Sequence, residues 1–317
     1  MTTNGFNILI NGKSGTVLGM GQEAVASAIG ASGLTVAELC FSEPEDMQAN
    51  LERLRHKRNA LLVGGGDGTI RETAKYLAPF KRPFGILPFG TMNLLAHDLG
   101  LDTLASALSA YARGARQDTI DAGFVNGEIF LCCASIGTMP QASVYREKNR
   151  LINKFLLMPQ LFLFVLRNFD RHKREHITIT VDDATEKVRT PAVVVSANAF
   201  ADSQKLTESN FKRTTLDGGE LAVYIFTSTS HATHLRFLWR LIFGHWLNDP
   251  ALITKQGRKV RITNHHRRDL VSIDGEVTKL KTPLDFSIEP GLIRMLVPLP
   301  EEPEAETSPK TPAETPA

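Results

Sequence analysis

The sequence predicts a two-part chain: an α/β half built on a parallel sheet, then a half made mostly of antiparallel strands. Three observations carry this prediction. Short apolar runs alternate with helical stretches over the first hundred residues. Two of those runs empty directly into glycine-rich turns, and from about Arg116 the strand-like runs follow one another with few helices between them.

Asn7–Ile10 reads as a first buried strand, followed by the polar turn Asn11-Gly12-Lys13-Ser14-Gly15-Thr16. A helix near residues 21–30 leads to a strand over Leu34–Cys40, and Glu45–Lys57 reads as a polar surface helix. Asn59–Val63 has the length and composition of a buried parallel strand. It opens into four glycines in five positions, Gly64-Gly65-Gly66-Asp67-Gly68, then Thr69 and a helix over Ile70–Leu77. Glycine lets a backbone approach closely, and a helix N-terminus offers N–H groups and a favourable dipole, so this stretch is an anion trap. Pro83–Leu87 repeats the pattern, ending in Pro88-Phe89-Gly90-Thr91-Met92-Asn93 before a helix at Leu94–His97. Ligands of open α/β sheets collect at the carboxyl ends of strands, so both glycine loops and the Asn11 turn are expected to share one crevice. Thr91 and Asn93 would offer it a hydroxyl and an amide, and either also caps a helix well.

In the second half, Gln117–Val125 and Glu128–Cys133 flank Asn126-Gly127, a strong hairpin signal. Further strands are expected over His176–Val181, Ala192–Ala197, Glu220–Phe226, Lys259–Thr263, Leu270–Ile273, Leu284–Ile288 and Ile293–Val297. Two apolar helices, Val144–His176 and His231–Leu247, interrupt them. The expected division is residues 1–122, 123–299 with the last strand returning to the first part, and a disordered Pro/Glu/Thr tail over 300–317.

Hydrophobic residues make up 42% and charged residues 22%, the balance of a globular protein. Residues 301–317 hold five Glu and one Lys, so the formal net charge of +2 divides into −4 there and +6 elsewhere. A mildly basic body suits anionic substrates or an anionic membrane surface and does not by itself indicate nucleic acid. Cys40, Cys132 and Cys133 form no CxxC pair and lie in apolar surroundings, as thiols of a reducing compartment would. There is no basic segment followed by an apolar one at the N-terminus, and no run of 18 apolar residues, so a cytoplasmic chain is expected. The dinucleotide fingerprint fails because Thr69 stands at its third glycine, and the Walker motif fails because Asn7 stands at its first. Zinc-ligand spacing and the Gly-x-Ser-x-Gly elbow are both missing from the sequence. The basic flanks of the first apolar helix, and Trp239 and Trp246 in the second, fit a surface that meets lipid headgroups; packing on the β half is the alternative for each.

Two more acidic motifs lie in the β-rich half, Asp217-Gly218-Gly219-Glu220 and Asp274-Gly275-Glu276. Either is an ordinary turn by composition, but the paired carboxylates of Asp274 and Glu276 also suit a metal site or a general base. A phosphate loop with distant carboxylates is what phosphoryl transfer from a nucleotide needs.

Taken in order, Gly65-Gly66-Asp67-Gly68-Thr69, Leu87-Pro88-Phe89-Gly90-Thr91-Met92-Asn93, Asp217-Gly218-Gly219 and Asp274-Gly275-Glu276 resemble the motifs of the diacylglycerol kinase catalytic family. That family includes bacterial lipid kinases, sphingosine kinases and ceramide kinases. The resemblance implies a nucleotide-binding α/β domain of the phosphofructokinase and NAD-kinase kind and a C-terminal β-sandwich, with ATP, Mg²⁺ and catalysis at the cleft. It implies that Gly65, Gly66, Asp67, Gly68 and Thr69 hold the triphosphate, with Asp67 near the transferring group. Asn11, Glu72, Thr91 and Asn93 would contact nucleotide, and Asp121 matches an Asp at the domain junction. Asp217 stands where some bacterial members hold a structural Mg²⁺, and Glu276 matches the proposed general base, with Asp274 beside it. The Asn11–Gly15 turn is similar to the family's Asn-Pro-x-Ser-Gly loop, with Gly12 in place of the proline. Leu94 stands where many bacterial diacylglycerol kinases carry an Asp, while sphingosine kinase-like members have an apolar residue there, so the acceptor stays open between diacylglycerol and a sphingoid base.

The expected partners are a lipid substrate, a membrane surface met transiently and a second copy of the chain, with no nucleic acid. Two other readings stand beside the lipid kinase: an NAD kinase-like enzyme with a soluble acceptor, and a catalytically silent lipid- or nucleotide-binding regulator.

Overall fold

The computed structural model describes residues 5–148, 175–202, 211–227, 230–243 and 245–300. Most of the expected Val144–His176 helix, and the tail beyond Pro300, lie outside the described residues.

The first half alternates as its apolar runs predict: β1 (Phe6–Asn11), α1 (Gly15–Met20), α2 (Gln22–Gly30), β2 (Val36–Ser42), α3 (Met47–Arg55), β3 (Ala60–Gly65), α4 (Asp67–Leu77), β4 (Phe84–Pro88), α5 (Leu94–Asp98) and α6 (Leu104–Ala112). Strands β2, β1, β3 and β4 lie side by side in parallel. Ile8, Leu9, Ile10, Leu61, Leu62, Val63, Ile86 and Leu87 are fully or almost fully buried, because helices cover both faces of these strands. Tyr111 of α6 locks the sheet: its hydroxyl donates to the Leu296 carbonyl at 3.1 Å and accepts from the Ile86 N–H at 2.9 Å.

The second half continues with β5 (Ala115–Val125), β6 (Glu128–Phe130), β7 (Cys133–Gly137), α7 (Thr138–Lys148), β8 (Glu175–Val181), β9 (Ala184–Thr190), β10 (Ala192–Ala197), β11 (Leu221–Phe226), α8 (His231–Phe243), β12 (Leu252–Gly257), β13 (Lys259–Thr263), β14 (Arg268–Ile273), β15 (Glu276–Lys281) and β16 (Leu284–Pro298). One sheet runs β12-β11-β10-β7-β14-β15. The other prolongs the parallel sheet in the order β2-β1-β3-β4-β16-β13-β8-β9, with β5 on β16 and β6 on β5. Alternate residues of both sheets face inward: Ile177, Ile179 and Val181 from one, Val193, Val195, Leu221, Val223 and Ile225 from the other. This period-two packing makes the second half β-sandwich-like.

Two expectations are corrected. The expected strand over Glu128–Cys133 is two strands in different sheets, because the chain crosses from one sheet to the other at Leu131–Cys132. The expected strands Leu284–Ile288 and Ile293–Val297 are one, β16, interrupted by a bulge where Pro290 and Gly291 remove residues from its register with β5. The N-terminal part of β16 pairs antiparallel with β13, and Met295 near its end pairs in parallel with Phe84 of β4.

Candidate active site

Three turns meet at the carboxyl ends of β1, β3 and β4. The two glycine loops touch backbone to backbone: a Cβ on Gly90 would lie 2.5 Å from the Gly66 Cα, a distance no side chain tolerates. Asp67 joins them further, its Oδ1 accepting from the Leu94 N–H at 2.7 Å and its Oδ2 from the Asn93 N–H at 3.0 Å. A carboxylate at the start of α5 is favoured by the helix dipole. Asn93 is in the left-handed region (φ 51°) and closes its loop through its side chain, which accepts from the Gly90 N–H and donates to the Gly90 carbonyl. The first turn is tied in by Asn11, whose Nδ2 donates to Thr69 Oγ1 at 2.9 Å while its Oδ1 accepts from the Lys13 N–H. Thr16 donates through both N–H and hydroxyl to the Phe89 carbonyl. Asn11, Gly65, Gly66, Asp67, Gly68, Thr69 and Asn93 thus form one bonded set, with half-buried Thr91 on its rim.

The β-rich half adds a carboxylate to this set. Glu276, first residue of β15, stands against the loop so closely that a Cβ on Gly68 would be 2.0 Å from its Oε1. Arg71 holds it there: its Nη2 bonds to Glu276 Oε2 at 2.5 Å and its Nη1 to the Ile273 carbonyl at 3.0 Å. Glu72 is exposed beside them, 3.4 Å from the same Arg71 nitrogen.

Other expected residues sit elsewhere. Asp274 is 4% exposed and turned away from the loops. Its carboxylate accepts from the N–H groups of Leu131, Cys132 and Cys133, pinning the chain where it changes sheets. Burial pushes this carboxyl up, against the opposing effect of the three N–H donors. Asp121, 1% exposed, accepts from Asn198 Nδ2, the Gly219 N–H and the Gly291 N–H, so it stitches β5 to β16 and to the turn before β11. Asp217 is exposed and accepts from the Thr215 hydroxyl. Among the described residues, no group of three or more His, Cys, Asp or Glu is placed to hold a metal ion.

The tryptophans divide. Trp239 of α8 is 62% exposed, as is Leu235 one turn before it at 54%. Trp246, expected at a lipid interface, is instead 5% exposed and packs among Phe200, Phe211, Tyr224 and Phe237 on the outer face of β11. That face needs an apolar cover because Ala222 and Tyr224 point away from the sandwich core. Among the described residues no helix is long and apolar enough to cross a membrane.

Sequence reasoning missed two arginines. Arg71 carried one available signal, its place three residues after Gly68 and hence on the same helix face. Arg213 carried none, since its partner Asp98 is 115 positions away.

Comparison with known proteins gives matches over nearly all of this framework. The diacylglycerol kinase catalytic domain family matches residues 6–125, and the YegS C-terminal NAD kinase β-sandwich-like domain family matches residues 141–297. A diacylglycerol kinase of Bacillus subtilis (strain 168) is 25% identical over 221 residues, covering 68% of this chain and 70% of that protein. A Pseudomonas aeruginosa (strain PAO1) protein named "Probable lipid kinase YegS-like" is 38% identical over 124 residues, 37% of this chain and 40% of its own. A crystal structure of a diacylglycerol kinase from Bacillus anthracis str. Sterne superposes with a TM-score of 0.63 at 18% identity, covering 95% of this chain and 98% of that one; at that identity it speaks for the fold. Fold and matches define a kinase-type chain, an α/β half joined to a β-sandwich-like half. The chain carries a diacylglycerol kinase catalytic domain over residues 6–125 and a YegS C-terminal β-sandwich-like domain over residues 141–297.

Proposed function

We propose that the protein is a lipid kinase, transferring the γ-phosphate of ATP to a hydroxyl of a diacylglycerol or sphingoid-base-like lipid. The observation that carries this reading is the placing of Glu276, from the β-rich half, against Gly68 of the glycine loop. A base brought from one half to a phosphate seat on the other is the arrangement that in-line transfer between two substrates requires.

In this reading the phosphates rest on Gly65 to Thr69, where the N-terminus of α4 supplies N–H groups and dipole. Asn11, Thr91 and Asn93 line the nucleotide side, and Asp67 keeps both loops in register. Glu276 takes the proton of the lipid hydroxyl as the hydroxyl oxygen attacks the γ-phosphorus and ADP departs, a contribution of about 10²–10⁴-fold. Asp274 sets the turn from which Glu276 projects, and Asp121 holds the halves together. Mg²⁺ carried by the nucleotide would neutralise phosphate charge, and it needs only one or two carboxylates from protein. Glu72, the exposed carboxylate beside Arg71, suits that need and leaves Glu276 to act as base. A separate ion at Asp217 would have to draw its other ligands from backbone or water. Exposed Leu235 and Trp239 on α8 suit contact with a lipid surface during transient docking from the cytoplasm, while Arg236 and Arg240 beside them pair with buried Asp249.

The test is purified protein with labelled ATP and Mg²⁺, offered diacylglycerol, sphingosine and ceramide in mixed micelles, with NAD⁺ as soluble acceptor. Labelled lipid lost in Glu276→Gln supports the reading. Label in NADP alone, or in no acceptor, overturns it.

A further inference from the structure

Arg71 stands one turn after Gly68 in α4, and long side chains of a helix lean back over the turn N-terminal to their own Cα. Its guanidinium therefore overhangs the first turn of the helix, whose N–H groups have no acceptor within the helix. The Glu276 carboxylate lies between the two, bonded to Arg71 at 2.5 Å and in contact with Gly68. An anion between a helix N-terminus and an arginine fork is the usual environment of a bound phosphate. A phosphate seated on Gly66-Asp67-Gly68-Thr69 and this carboxylate would claim the same space.

We propose that Arg71 is a phosphate-binding residue of the nucleotide site and that the Glu276 carboxylate competes with the terminal phosphate for it. The inference rests on the phosphoryl-transfer reading and adds an order of events to it. Nucleotide entry displaces the Glu276 carboxylate, and Arg71 exchanges a carboxylate partner for a phosphate one, both of which its planar fork accommodates. Exposure decides which side chain moves: Glu276 is 58% exposed and has solvent to swing into, whereas Arg71 is 14% exposed and stays over the loop. Released from Arg71, Glu276 becomes free to face the acceptor hydroxyl. The exchange makes and breaks ion pairs only.

The experiment is equilibrium binding of ATP, ADP and AMP, with Mg²⁺, to the full chain and to Glu276→Gln, Arg71→Ala and Arg71→Lys, each checked for native circular dichroism. Glu276→Gln is expected to bind ATP about fivefold more tightly, since an exposed competing charge is lost. Arg71→Ala is expected to bind it about tenfold more weakly or worse, with Arg71→Lys between, and AMP affinity unchanged throughout. ATP affinity unchanged in Glu276→Gln, or an equal loss of ATP and AMP in Arg71→Ala, overturns this inference alone. Binding of no nucleotide by any of the four chains overturns the phosphoryl-transfer reading and this inference with it.

Discussion

Arg213 and Asp98 form a buried ion pair that bolts the β-rich half to the end of α5. Their side chains are 1% and 2% exposed, and the guanidinium donates twice to Asp98 Oδ2, at 2.9 and 2.6 Å, while the Arg213 N–H donates to Oδ1 at 2.8 Å. The remaining guanidinium nitrogen reaches the Leu131 and Ala197 carbonyls.

Removing one partner of such a pair strands a buried charge. Asp98→Ala should destabilise the fold by about 3–5 kcal/mol, whereas the double change Asp98→Leu with Arg213→Met should cost less than Asp98→Ala alone. Urea unfolding midpoints at constant m-value check both, and a loss below ~1 kcal/mol for Asp98→Ala would show that the pair is not what joins the halves there.

Gly68→Ala separates catalysis from stability. The added methyl meets the mobile end of Glu276, not backbone, and alanine is about 1 kcal/mol more favourable than glycine inside a helix. The melting temperature should hold or rise while lipid phosphorylation falls on the order of 10²-fold, because the methyl intrudes on the seat proposed for the terminal phosphate. Retained turnover would mean that the phosphates rest elsewhere.

The three thiols should differ sharply in reactivity. Burial pushes the Cys133 thiol up to about 12 and that of Cys132 well above its usual range, and only thiolate reacts. At pH 8 roughly one Cys133 in ten thousand is ionised. An aromatic disulfide reagent should label Cys40 in a first phase, Cys133, which is partly exposed but whose thiol is pushed up, more slowly, and buried Cys132 only at the rate of unfolding. Release of three equivalents in a single fast phase from native protein would contradict this.

The two tryptophans should separate membrane docking from folding. Trp246→Ala removes a ring packed among four aromatic side chains and should cost about 3–5 kcal/mol. Trp239→Ala changes an exposed position and should leave stability within about 0.5 kcal/mol while weakening co-sedimentation with anionic vesicles. Equal vesicle binding before and after Trp239→Ala would place docking on another face.

The parallel strands could be read from sequence because each is buried on both faces and so appears as an unbroken apolar run. The glycine loops could be read because close backbone approach leaves no alternative residue, as at Gly66 and Gly90. Strands β9 and β15 escaped notice for the opposite reason. They edge their sheets, and Ala184–Thr190 and Glu276–Lys281 carry Glu, Lys and Arg where an inner strand would carry Val or Ile. Leu284–Ile288 and Ile293–Val297 read as two strands because Pro290-Gly291 parts them, and only the pairing of both with β5 shows that the strand runs on. The roles of Asp121 and Asp274 were hidden in another way. A carboxylate that binds substrate and one that collects three N–H donors from its own chain are the same letter, and what separates them is burial.

Strand β16 has a consequence for how the chain is made. It completes the sheet of the first half, yet it is among the last residues of the β-rich half to be synthesised, and Leu299 beyond it still bonds back to Gly114. A nascent chain leaving the ribosome therefore presents β4 as an open edge for as long as some two hundred further residues take to be translated, roughly 10–40 s at about 5–20 residues per second. During that interval the nucleotide half exists as an unfinished sheet, exposed to strand exchange with neighbouring chains. The two halves, separate in their chemistry, reach their final form together.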